Sequence, residues 1–190
     1  IISFGQGCEG EPLLAWEVIK EAITLLRRQT KAGTININTN AGLPEALSEL
    51  ARAGLDSARI SIFSADPEAY RLYHRPQSFS LAQVGESIDR LRRESVFVAL
   101  NLLSLPGFTD LKPQMDQLFT FLEEHPVNMI QLRNLNIDPE LLWGKLKKES
   151  RVLSGEVAGM AYFLEKLMKR FPEMLVGNFS RAVKKSVLKL

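Results

Sequence analysis

Thr34-Ile35-Asn36-Ile37-Asn38-Thr39-Asn40 is the stretch on which the architecture turns. Side chains of a strand leave alternately to its two faces, so Ile35 and Ile37 point one way and Asn36, Asn38 and Asn40 the other. The split recurs downstream: Ile60 and Ile62 oppose Arg59 and Ser61, Val98, Leu100 and Leu102 oppose Asn101, and Ile130 and Leu132 oppose Gln131 and Arg133. A parallel sheet covered by helices on both faces carries near-continuous apolar strands instead. If the apolar faces meet helices, the other face holds Asn36, Asn38, Asn40, Arg59, Ser61, Asn101, Gln131 and Arg133. Buried unpaired, each such group costs roughly 1 to 3 kcal/mol. The pattern therefore predicts a barrel-like lumen that holds a polar ligand, with a mutually hydrogen-bonded core network as the alternative.

Outward from this stretch, period-two and period-3.6 segments alternate. Strands are predicted at Ile1 to Gly7, Thr34 to Asn40, Ala58 to Ser64, Val96 to Leu103 and Met129 to Leu135. Amphipathic helices are predicted at Leu13 to Gln29, Pro44 to Ala53, Leu81 to Glu94 and Lys112 to Glu124, with Gly33 and Gly54 as helix stops. The strand ends recur at roughly the 30-residue period of βα units, which makes the chain α/β with parallel strands. Five strands fall short of a closed barrel. Between an open doubly wound sheet and a partial (β/α) barrel, the polar strand faces favour the barrel. The predicted organisation is a barrel core over 1–140 and a helical C-terminal extension over 141–190, with an amphipathic helix from Leu153 to Phe171 ending before Pro172.

The 190 residues are 45% hydrophobic and 24% charged, ordinary for a domain that buries a core. No segment has the length and apolarity of a membrane helix or of a signal peptide, so the expectation is a cytoplasmic protein without membrane contact. The first residue is Ile1, already inside an apolar run, and the simplest reading is that a preceding segment is missing. Residues 1–144 hold 13 Lys and Arg against 18 Asp and Glu, a net of −5, whereas 145–190 hold 11 against 4, a net of +7. The basic tail spreads its charge along helices without clustered aromatics, which favours a solvated face over a nucleic-acid footprint.

The predicted strand ends are polar: Gly7-Cys8-Glu9-Gly10-Glu11-Pro12, Asn38-Thr39-Asn40, Ser61 to Ser64, Asn101, and Arg133-Asn134-Leu135-Asn136. Ligands of parallel sheets bind at the carboxyl ends of strands. In order, Ser3-Phe4-Gly5-Gln6-Gly7-Cys8-Glu9-Gly10-Glu11-Pro12, Ile35 to Asn40, Arg59 to Ser64, Asn101 with Pro106-Gly107-Phe108-Thr109-Asp110, and Ile130 to Asn136 resemble the strands of radical S-adenosylmethionine (radical SAM) enzymes over about residues 1–140.

The resemblance implies a partial (β/α)6 barrel. It also implies two cofactors, S-adenosylmethionine and a four-iron four-sulfur cluster, whose reduced form cleaves the former to a 5′-deoxyadenosyl radical that abstracts hydrogen from substrate. Gly10 and Glu11 match the turn that receives the methionine amino group, a carboxylate beside an ammonium. Ser61 falls where polar residues meet the ribose and carboxylate, Asn101 near the adenine side, and Asn40 and Arg133 at strand mouths used for cofactor or substrate. The family's Cys-x-x-x-Cys-x-x-Cys cluster loop has no counterpart here, and one thiol does not supply its ligands. No metal ligand is therefore assigned, and Cys8 is read as a small core or loop thiol. Substrate recognition is assigned to the region after Trp143. The implied partners are a small-molecule or peptide substrate and an electron donor such as flavodoxin or ferredoxin. Alternatives are a non-catalytic module binding a small ligand in the polar lumen, or a nucleic-acid-associated domain acting through the basic tail.

The remaining candidates read as structural. His74 falls in a long loop and is expected at the surface. His125 closes a helix, exposed or capping, and Asp66, Asp110 and Asp138 look like turn residues. No serine triad, zinc site or phosphate loop is evident.

Overall fold

The computed structural model describes residues 1–5, 10–135, 137–148, 153–177 and 182–183. Six strands, β1 (Ile2–Phe4), β2 (Ile35–Thr39), β3 (Ser57–Ile62), β4 (Phe97–Ser104), β5 (Met129–Asn134) and β6 (Leu175–Gly177), form one sheet in sequential order. Every neighbouring pair is parallel. A doubly wound sheet reverses its strand order at a switch point; this sheet never does, so it is a partial barrel.

The helices are α1 (Trp16–Gln29), α2 (Pro44–Ala53), α3 (Pro67–His74), α4 (Leu81–Arg93), α5 (Lys112–Glu124), α6 (Pro139–Leu146) and α7 (Met160–Arg170), with a 3-10 turn at Pro12–Ala15 before α1. Ile35, Ile37, Ile60, Ile62, Val98, Leu100, Leu102 and Ile130 are essentially buried and share one core with Leu47 and Leu50 of α2, Ile88 and Leu91 of α4, and Leu118 and Leu122 of α5. The apolar strand faces thus look outward to the helices, as the alternation predicts. Gly54 ends α2 in a left-handed conformation, φ +116°, which a residue without Cβ adopts at little cost.

Four expectations need correction. Pro67–His74 is a helix rather than part of a long loop: Asp66 accepts the Ala69 N–H at 2.8 Å and Pro67 occupies the first turn, so the Asp-Pro pair read as a turn is a helix start. Asp138 caps α6 in the same way, whereas Asp110 is the turn residue expected, accepting the Gly107 N–H at 2.6 Å. The region after residue 140 is not wholly helical, because Leu175–Gly177 adds a sixth strand too short to show periodicity. The last helix starts at Met160, after Gly155 and Gly159, both at positive φ.

Candidate functional site

The inner face is built in rows by the register. Ser3, Asn36, Ser57 and Phe97 lie abreast, as do Asn38, Arg59, Ala99 and Met129, and then Ser61, Asn101 and Gln131. Across β1 to β3 the polar groups satisfy one another. Asn36 Nδ2 donates to Ser3 Oγ at 2.8 Å, Ser57 Oγ donates to Asn36 Oδ1 at 2.9 Å, and Asn38 Nδ2 donates to the Gly5 carbonyl at 2.7 Å. This is the hydrogen-bonded network that the alternative reading anticipated, realised on one half of the sheet. Beneath it Phe97, Ala99 and Met129 close the amino-terminal end of the lumen.

The other half is different. Asn101 Nδ2 donates to Ser61 Oγ at 3.1 Å, while Asn101 Oδ1 is buried with no partner among the described residues. Two predicted residues are therefore adjacent, and one retains an unmet acceptor. Arg133 stands exposed two positions beyond Gln131 on the same face. Burial, then the Arg133 charge, lower the pKa of Arg59.

Glu11 and Asn40 are also brought together, through backbone. Glu11 caps the 3-10 turn, its Oε1 accepting the Leu13 N–H and the Thr39 hydroxyl while Oε2 accepts the Asn40 N–H at 2.8 Å. The carboxylate is thus a strut between the turn after β1 and the end of β2. Asn40 lies just past β2 and its Oδ1 accepts the Gly42 N–H at 2.8 Å, so its side chain holds the loop. Ser87 Oγ donates to the Ala41 carbonyl at 2.7 Å, and a Cβ on Gly42 would strike the Phe79 ring. Gly10, at φ +84°, has open space where a Cβ would stand. Gly7, Cys8, Glu9 and Asn136 lie outside the described residues.

Above the strand ends sits a second, smaller core that sequence reading missed. Phe63 stacks between Tyr73 and Phe108, both centroids at 4.7 Å, with Leu105, Leu111, Leu142 and Leu146 around them. His74, expected at the surface, is half-buried: its Nε2 accepts the Phe63 N–H at 3.0 Å, and burial pushes its pKa down to about 4. His125 does end a helix, but its Nδ1 lies 3.0 Å from Asp89 Oδ2 and its ring fills the space left by Gly85. Tyr70 of α3 was also missed. It is 1% exposed, its hydroxyl has no partner among the described residues, and burial together with the Glu11 charge raises its pKa to about 12. Reading Asp66-Pro67 as a helix start would have been the signal.

The unmet Asn101 oxygen and the Tyr70 hydroxyl near Glu11 suit a ligand rich in hydrogen-bonding groups, as S-adenosylmethionine is. An iron–sulfur cluster is not similarly provided for: no three His, Cys, Asp or Glu residues group together among the described residues, and the sequence has one cysteine. Among the described residues no helix is long and apolar enough to cross a membrane.

Residues 3–118 match the family model described as the Radical SAM superfamily. Among solved structures, a domain of pyruvate-formate lyase-activating enzyme from Bacteroides vulgatus ATCC 8482 is similar at 13% identity and a TM-score of 0.63, with 94% of this chain and 98% of that one covered. Methylornithine synthase (PylB) is similar at 12% identity and a TM-score of 0.59, covering 87% of this chain and 46% of that one. Streptococcus suis SuiB bound to S-adenosylmethionine is similar at 13% identity and a TM-score of 0.52, covering 90% and 38%. This chain therefore spans less than half of the latter two, and at such identities the likeness is one of fold. No curated protein matches.

Proposed function

Because this chain belongs to the radical SAM superfamily, we propose that it is the S-adenosylmethionine-binding barrel portion of a cytoplasmic radical SAM oxidoreductase acting on a small-molecule or peptide substrate. Members of the family use S-adenosylmethionine and a four-iron four-sulfur cluster, and a reductant such as flavodoxin or ferredoxin supplies the electron. The chemistry the cluster provides is reductive cleavage of the cofactor to a radical that removes hydrogen from substrate. With its single cysteine, this chain does not supply the cluster's cysteine ligands.

The observation that carries the reading is the Asn101 Oδ1 beside Ser61 on the polar inner face, buried and without a partner among the described residues. An acceptor in that position calls for a donor, and the adenine amino group or a ribose hydroxyl supplies one. Gly10 gives backbone access at the turn. Glu11 Oε2, with the Asn40 N–H as one partner, keeps acceptor capacity for an ammonium. Arg133 and Asn40 border the mouth. Calorimetric titration with S-adenosylmethionine tests this, with weak binding expected at roughly 0.1 to 1 mM, because the cluster's contribution is missing. Glu11→Ala makes binding undetectable, and Cys8→Ser changes little. Equal affinity in Glu11→Ala would reduce the turn to a strand terminator, and no binding by the parent chain at several times that concentration would remove the reading.

A further inference from the structure

Helices α3 and α6 follow strands β3 and β5 and pack together on the small upper core, through Ala69, Leu72 and Tyr73 on one side and Leu142, Trp143 and Leu146 on the other. Between them runs a cleft of about 340 Å³ lined by Arg71, Arg75, Lys145 and Lys148, with Leu72 at its wall and Glu68 as the one acid among its described lining residues. Several cations elsewhere on the surface are ion-paired: Lys20 with Glu49, Arg52 with Glu49 and Glu94, Arg90 with Glu45 and Glu86, Lys112 with Glu156, and Arg170 with Glu123. The four cleft cations have no ion-pair partner among the described residues. Arg75 is moreover a non-glycine residue at φ +47°, its N–H closing the last turn of α3 onto the Arg71 carbonyl. Both helices end at this cleft, and their carbonyl ends favour nearby cations without engaging every side-chain donor.

We propose that the α3–α6 cleft is an anion site that takes a small molecule bearing a phosphate or diphosphate group. Two guanidinium and two ammonium groups match a multivalent oxyanion, which accepts several charge-assisted hydrogen bonds at once. The size sets the class of ligand: the cleft sits at the small end of the range for small-molecule pockets, whereas a macromolecular surface needs a far wider footprint. The cleft lies between the helices that follow β3 and β5. The site stands on its own geometry and does not require the cofactor reading above.

The test is titration of this chain with inorganic pyrophosphate and, in a second arm, orthophosphate, at low ionic strength, followed by calorimetry and by thermal shift. One saturable site is expected, tighter for pyrophosphate than for orthophosphate. Arg71→Glu with Lys145→Glu should weaken it at least tenfold, while Arg28→Glu with Lys31→Glu, which removes equal charge from the α1 end, leaves it unchanged. Folding is checked by circular dichroism, and the milder Arg71→Gln must still lose affinity where the double variant fails to fold. Absence of saturation at millimolar pyrophosphate overturns the proposal, as does an equal loss in the α1 variant, which would reduce the effect to net charge. A short oligonucleotide binding more tightly than pyrophosphate, with the same variants affecting it, would also overturn it in favour of a nucleic-acid surface.

Discussion

The two halves of the sheet's inner face have the same residue chemistry and different hydrogen-bond balances. On β1 to β3, Ser3, Asn36, Asn38 and Ser57 exchange their bonds with one another and with the Gly5 carbonyl. On β3 to β4, Ser61 and Asn101 share one bond, and Asn101 Oδ1 is left unmet among the described residues. A buried amide whose capacity is used up stabilises the fold, whereas one with capacity left over is costly until a ligand meets it. The difference separates a structural half from the half proposed to bind the cofactor.

Acid sharpens the contrast most. The network half is made of amides and hydroxyls, which do not titrate in the working range, whereas the upper core over the other half holds neutral His74 under the Phe63 N–H. Its folded pKa, about 4, lies below the ordinary imidazole value of about 6.5, so the unfolded chain binds more protons between those values. The contribution is therefore fully present above pH 6.5 and lost as pH falls towards 4, amounting to roughly 3 kcal/mol. Urea denaturation at pH 7 and 4.5 measures it, and His74→Gln should flatten much of the dependence.

Next in size is Asn36→Ala, which strips partners from Ser3, Asn38 and Ser57 together and should cost about 2 to 3 kcal/mol in urea denaturation at neutral pH. A loss below 0.5 kcal/mol would mean that the network is no more structural than the open half. The smallest effect belongs to Tyr70→Phe, which removes a buried hydroxyl without a partner among the described residues. It should leave the ligand-free chain equally stable or more stable by about 1 kcal/mol, whereas a clear loss would reveal a partner for that hydroxyl.

Strand alternation made the outer core legible, because Ile35 and Ile37 can face only one way once Asn36 and Asn38 face the other. It did not distinguish Asn36 from Asn101: both are polar residues on the inner side, and what separates them is the neighbour across the ladder, a register fact absent from local sequence. The third helix was missed because Asp66-Pro67 signals a turn and a helix start equally well over eight residues. The upper core followed from that omission, since Leu72, Tyr73 and His74 were left in a loop. The strand at Leu175–Gly177 has three residues and no pattern to read.

The most direct test sets one residue from each half against the other in the same titration. Asn101→Leu and Ser57→Ala are each titrated with S-adenosylmethionine by calorimetry, beside the parent chain and with stability measured in parallel. The account predicts that Asn101→Leu weakens binding at least tenfold, equivalent to about 1.4 kcal/mol, without loss of stability, and that Ser57→Ala leaves affinity unchanged. Parent-like affinity in Asn101→Leu, or an equal loss in Ser57→Ala, would contradict the division of the inner face into a structural half and a binding half.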